Sequence, residues 1–171
     1  MQEILQQPTP RPGAIMKQKQ LNDRMYDLRN KVLGLLTAQG ITSVEIQYSG
    51  CGDEGSIEAL TIQPPAVSKA ALTTMTGIFG RDFGENSWFD KDTEFNLRQL
   101  LTDFGDHVIN DVVHGGFETE EGGGGNLKLD VATGTITAER FRYLDDDGDS
   151  SEEMETISIP GPGQSPRHRY R

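Results

Sequence analysis

Apolar residues are scarce in this chain and confined to short periodic runs, and that restricts its fold more than any other feature. Leu, Ile, Val and Phe make up 39 of 171 residues, or 23%, close to the roughly 20% below which a highly charged chain stays disordered. A core forms only where those runs face one another, and it cannot use the whole chain. From about Ala14 to Gln39, Leu21, Met25, Leu28, Val32 and Leu35/Leu36 recur at spacings of three and four. That spacing predicts one amphipathic helix, closed by Gly40. Val44, Ile46 and Tyr48 then alternate with polar residues. They predict a strand, paired across the Ser49–Gly55 turn with a second strand from Ile57 to Gln63 that Pro64-Pro65 ends.

Residues 66–91 are less periodic: Ala66 to Met75 has the makings of a short helix, and glycines among Phe79, Phe83, Trp88 and Phe89 suggest an ordered loop. A second long helix is expected from Thr93 to Val113, capped by Asp92 or Thr93, with Leu97, Leu100, Leu101, Phe104, Val108 and Val112 on one arc. A polyglycine turn, Gly122–Gly125, precedes a hairpin of Asn126–Ala132 and Thr135–Tyr143, and Glu155–Ile159 reads as a last strand. The layout predicts an α+β fold, an antiparallel sheet of about five strands with two main helices packed on one face. Residues 1–13 read as a flexible N-terminal lead, 14–159 as a single α+β domain, and 160–171 as a disordered basic C-terminal tail.

Charge is spread unevenly. The chain carries a net −11, yet residues 1–40 and the last five residues are both net basic, leaving residues 41–166 at −17. Such a body repels phosphate backbones, so direct nucleic-acid binding is not expected and a basic protein partner is. Seven acids fall within Asp145–Glu155: Asp145, Asp146, Asp147, Asp149, Glu152, Glu153 and Glu155. An EF-hand register fails, because setting Gly148 sixth puts Tyr143 first and Met154 twelfth, where carboxylates are required. These seven residues are the expected partner-binding surface, with Phe117 or Trp88 as an aromatic anchor. No run is long and apolar enough to span a bilayer and no leader pattern opens the chain, so a cytoplasmic protein without membrane contact is expected.

Catalytic signals are weak. Cys51 is the single cysteine, stands beside acids and has no adjacent base. Asp103, His107, Asn110 and His114 fall on one arc of the second helix and read as a solvated polar face. If the two glycine-rich turns share one end of the sheet, Asp53 and Glu54 meet Glu118 and Glu120. That cluster would hold a divalent cation, as in a metal-dependent hydrolase. No cofactor is otherwise expected.

Tyr48-Ser49-Gly50-Cys51-Gly52-Asp53-Glu54-Gly55 and His114-Gly115-Gly116-Phe117-Glu118 resemble the two signatures of a family of small uncharacterised bacterial proteins of plasmids, phages and other mobile elements. Tryptophan is usual in that family where Phe117 stands, and asparagines where Thr119 and Glu120 stand. The resemblance covers roughly residues 20–145 and implies a fold and a genomic habit, with no reaction assigned. The expected function is a non-catalytic acidic interaction protein of the inhibitor or immunity type, a nucleic-acid mimic included. Its partner would be a basic nucleic-acid-binding defence effector or toxin. The alternative is the hydrolase. A monomer, or a homodimer seamed by the Leu21–Leu36 stripe, is the expected state.

Overall fold

The structure is a computed structural model and describes residues 16–80, 92–118, 122–144 and 151–164. In chain order the elements are β1 (Met16–Gln18), α1 (Asp23–Ala38), β2 (Ser43–Cys51), β3 (Glu54–Gln63), α2 (Pro65–Thr74), β4 (Thr76–Gly80), β5 (Asp92–Asn96), α3 (Leu97–Val108), a π-helical turn (Ile109–Val113), β6 (Gly123–Asp130), β7 (Ile136–Leu144) and β8 (Ser151–Ile159). Six strands form one sheet in the order β1-β8-β7-β6-β2-β3, and β4 and β5 form a separate ribbon. The fold is α+β as expected, but the sheet is mixed, because β1 runs parallel to β8 while every other pair is antiparallel. Among the described residues there are three α-helices, the two main ones and the short α2 where Ala66 to Met75 has the makings of one.

The element bounds depart from expectation where a cap or a pairing outweighs periodicity. The first helix starts at Asp23, because Asn22 accepts a hydrogen bond from the Met25 N–H and so satisfies a free donor of the first turn. Residues 16–18, expected to be helical, instead pair with Thr156–Ser158. Asn96 caps α3 in the same way through Gln99, and the preceding Asp92–Asn96 is strand rather than helix. The polyglycine run is the first half of β6, held between β2 and β7. Pro160–Gln164 belong to the body rather than a tail: Gly161 is buried, and the Thr135 hydroxyl donates to Gln164 at 3.3 Å. The 1–13 lead and residues 165–171 of the tail lie outside the described residues.

One face of the sheet carries the core. Val44, Ile46 and Tyr48 of β2, Leu127 and Leu129 of β6, Ile136 and Ala138 of β7, and Ile157 and Ile159 of β8 are all buried. The stripes of α1 and α3 close over them. Leu21, Met25, Leu28, Val32 and Leu36 lie in this core, which removes them from any dimer seam. Gly105 marks a close approach of α3 to β2, since a Cβ there would stand 2.4 Å from Ile46 Cδ1. Among the described residues, no helix is long and apolar enough to cross a membrane.

The largest wholly buried side chain is a cation. Arg29 of α1 is 1% exposed; its Nη1 donates to the carbonyls of Pro160 at 2.6 Å and Gly134 at 3.3 Å, and its guanidinium lies 5.0 Å from the Tyr26 ring centre. Burial lowers its pKa, but an arginine remains charged. It therefore fastens α1 to both chain segments at one end of β7 and β8. Replacing it leaves two carbonyls without donors and a cavity the size of a guanidinium. Arg29→Ala is expected to cost about 3 kcal/mol, read as a lower urea midpoint at unchanged slope.

Candidate functional site

The two signature stretches meet at one end of the sheet. Gly52 and Asp53, with φ of 61° and 70°, make the two-residue turn between Cys51 and Glu54 that a right-twisted hairpin prefers. The Asp53 N–H donates to the Glu118 carbonyl at 2.8 Å, which docks the hairpin tip on the segment after the π turn. Gly50 and Gly55 permit that docking. A Cβ on Gly50 would lie 3.0 Å from the Glu118 Cα, and one on Gly55 would lie 2.8 Å from the Phe117 ring.

Beneath the turn three rings are packed together. Tyr48 lies edge-on to Phe117 at 4.9 Å between centroids and to His114 at 6.0 Å, and the Tyr48 hydroxyl is 3.2 Å from His114 Nδ1. They rest on the glycines of β6. Added Cβ atoms would stand 2.9 Å from the His114 ring at Gly123, and 2.7 Å from the Tyr48 hydroxyl oxygen at Gly125. On the opposite face a Cβ at Gly124 would meet the Phe141 ring at 3.0 Å. Alternation along the strand thus places rings on both faces of a run that has no side chains of its own.

His114 reaches this position because of the π turn. Its N–H donates to the Ile109 carbonyl at 2.7 Å, an i to i+5 bond that inserts one residue into the helical register. One residue is worth about 100° of rotation, so His114 leaves the polar arc of Asp103, His107 and Asn110 and is buried, 1% exposed. The arc was expected to be solvated throughout, and the wider turn is why it is not. Burial, and then Arg140 and Arg142, lower the His114 pKa to about 4, and burial raises that of Tyr48. The imidazole is therefore neutral at physiological pH.

The turn's last carbonyls are met by cations from the sheet. Lys19 Nζ donates to Val112 O and Arg140 Nη1 to Val113 O, each at 2.6 Å. The Arg140 guanidinium also holds Glu155, which Lys17 pairs from β1. Burial alone would raise the Glu155 pKa, but hydrogen bonds from Lys17 and Arg140 keep it below the ordinary range.

The expected site residues are distributed as follows. The two turns do share one end of the sheet, but Asp53 and Glu54 are exposed at the tip and Glu118 is half-buried. Among the described residues, no group of three or more His, Cys, Asp or Glu side chains is arranged to hold a metal ion. Glu120 lies outside the described residues, as do Trp88 and Asp145, Asp146, Asp147 and Asp149. Phe117, expected as an exposed anchor, is 5% exposed. Glu155, expected on the docking surface, is spent on Lys17 and Arg140, opposite which β8 places it. Glu152 and Glu153 stand in β8 opposite Tyr143 and Arg142.

Sequence reasoning missed the open face of the sheet. There Phe141 and Tyr143 pack edge-on at 5.4 Å, and Met154 stands directly opposite Phe141. Tyr143 and Met154 are two of the three large apolar side chains that are exposed among the described residues, at 40% and 46%. Their alternation in β7 and β8 was the available signal.

Cβ crowding makes the glycine platform testable. Gly125→Ala is expected to cost at least about 2 kcal/mol, while Gly34→Ala, with nothing within 4 Å of its added Cβ in mid-α1, is expected to gain about 0.5–1 kcal/mol; thermal unfolding compares them. His114 gives a pH signature. Its pKa is lower folded than unfolded, so the unfolded chain binds more protons between the two values. The stabilisation is complete above about 6.5 and is lost as pH falls to about 4, of the order of 3 kcal/mol in all. In His114→Gln this acid limb should flatten in urea titrations.

A family model described as a family of unknown function (DUF6878) matches residues 25–152. No curated protein and no solved structure matches the chain.

Proposed function

The chain belongs to a family of unknown function (DUF6878), and we propose that it is a non-catalytic interaction protein that docks an acidic surface on a positively charged partner. The observation that carries this reading is where the chain spends its residues. The signature side chains Tyr48, His114 and Phe117 face inward and pack on one another, while Asp53, Glu54 and Glu58 of the same hairpin are exposed. Residues 41–166 carry net −17, and the sequence joining β7 to β8 supplies Asp145, Asp146, Asp147 and Asp149. Like charge at this density excludes polyanions and accelerates encounter with a cationic surface.

The partner class that fits is a basic protein that itself binds nucleic acid, or a basic toxin, which the chain would occupy as an inhibitor or immunity protein does. The resemblance to proteins of mobile elements supports that class, since such elements meet both. A cytoplasmic site of action agrees with it. Of the acids expected to make contact, Glu155 is withdrawn because its pairing holds the sheet together, and Asp53, Glu54 and Glu58 take its place.

Affinity capture from the host with the tagged full chain tests the reading. Captured proteins should be basic and should elute between about 0.1 and 0.5 M salt, over which the screening length falls from roughly 10 Å to less than half of that. Replacing Asp145, Asp146, Asp147 and Asp149 together by Asn should reduce the yield severalfold. Capture indifferent to both salt and neutralisation would refute it.

A further inference from the structure

Among the described residues the helices cover one face of the sheet and leave the other open, and the open face carries an uneven chemistry. Two adjoining depressions of about 660 and 370 Å³ lie across β2, β3, β6, β7 and β8 and share Ser49 and Glu58. Glycines 50, 55 and 125 are among their lining residues. Phe141, Tyr143 and Met154 supply an apolar border, and the carboxylates of Asp53, Glu54, Glu58 and Glu139 supply the rest of the charge. The single base among the lining residues is Arg140. Its guanidinium is turned to the other face, held by Val113 O and Glu155.

Glu58 is fixed there by a bulge. Gln47 pairs with Ala59 and Tyr48 with Ile57, so Glu58 is the extra residue of β3. Its Oε1 accepts from Ser56 Oγ at 2.7 Å and Ser49 Oγ at 3.0 Å. These hydrogen bonds, Ser56 first, lower its pKa and keep it ionised. Exposed apolar side chains side by side on a strand pair mark a surface that another chain covers. Their carboxylate surroundings specify what charge that chain carries.

We propose that this open face, with Phe141, Tyr143 and Met154 as its apolar border and Glu54, Glu58 and Glu139 as its rim, is where a partner's cationic segment bearing aromatic or aliphatic side chains docks. The inference rests on the interaction-protein reading and adds a location and a second requirement, apolar contact beside charge. Cationic heads meet the rim, while the apolar side chains of the same segment cover Tyr143 and Met154. A purely cationic ligand satisfies only half of this surface.

A defined probe tests it: a twelve-residue peptide alternating Lys with Trp and Leu, beside dodecalysine, each titrated calorimetrically into the full chain. The mixed peptide should bind at least tenfold more tightly than dodecalysine. Tyr143→Ser with Met154→Ser should remove that advantage, and Glu58→Gln with Glu139→Gln should weaken both peptides severalfold. All four side chains are exposed, so the unfolding midpoints should stay close to the parent's.

Equal affinity for the two peptides, or indifference to the four substitutions, overturns the inference while leaving the acidic reading standing. If neither peptide binds, that reading fails with it. Light scattering that shows a dimer dispersed by Tyr143→Ser and Met154→Ser would assign the face to a second copy and overturn the proposal. A tenfold gain in peptide affinity on removing residues 165–171 would assign it to the chain's own arginine-rich end, with the same result.

Discussion

The absence of side chains on Gly123, Gly124 and Gly125 is the constraint on which the rest of the structure depends. Three consecutive residues of a central strand offer no Cβ, so rings approach the backbone from both sides. Isolated glycines in a strand cost stability, because they lose more chain entropy and pack nothing. Here the loss is offset by Tyr48 and His114 on one face and Phe141 on the other. The inner pair then receives Phe117, and Phe117 receives the hairpin tip. Removing the platform would leave a buried imidazole and a buried phenol without room, and the two signature turns without a common seat.

A second constraint works through charge. The π turn ends in carbonyls that face the sheet, and two cations, Lys19 and Arg140, answer them. Arg140 in turn holds Glu155, and Glu155 holds Lys17 of β1. Arg29 does comparable work where β7 begins and β8 ends, with the Gly134 and Pro160 carbonyls and the Tyr26 ring as partners. In a body so rich in carboxylates, these four bases are committed to holding strands and helices together.

Much of the fold was legible in the residues. The first hairpin, the last hairpin and the cores of α1 and α3 follow from side-chain alternation and three-four spacing, and Val44, Ile46 and Tyr48 are buried as their alternation predicts. What escaped has identifiable causes. Three residues of β1 are too few to show a period, and their partner lies about 140 positions away. Glycines carry no pattern, so a strand made of them reads as a turn. The π turn shifts phase inside a continuous apolar run, and no residue type announces it, so His114 was placed on the wrong side of its helix. The site was read less well than the fold. Phe117 has the aromatic character of an anchor but is buried, whereas Phe141, Tyr143 and Met154 lie at outward positions of strands whose inward residues carry the core pattern.

The pairing of β1 with β8 also sets an order of events during synthesis. Met16–Gln18 leave the ribosome long before Thr156–Ser158 exist, so the first strand must wait, unpaired, while the hairpins and helices between them assemble. Lys17 and Lys19 wait with it, and until β8 is laid down Glu155 is absent and Lys17 lacks its carboxylate. Contacts of such sequence separation close last and slowly. The edge at β7 is therefore bare until β8 is made, and a nascent chain stalled before residue 151 would carry a four-stranded sheet with an unprotected strand ready to pair with whatever lies near.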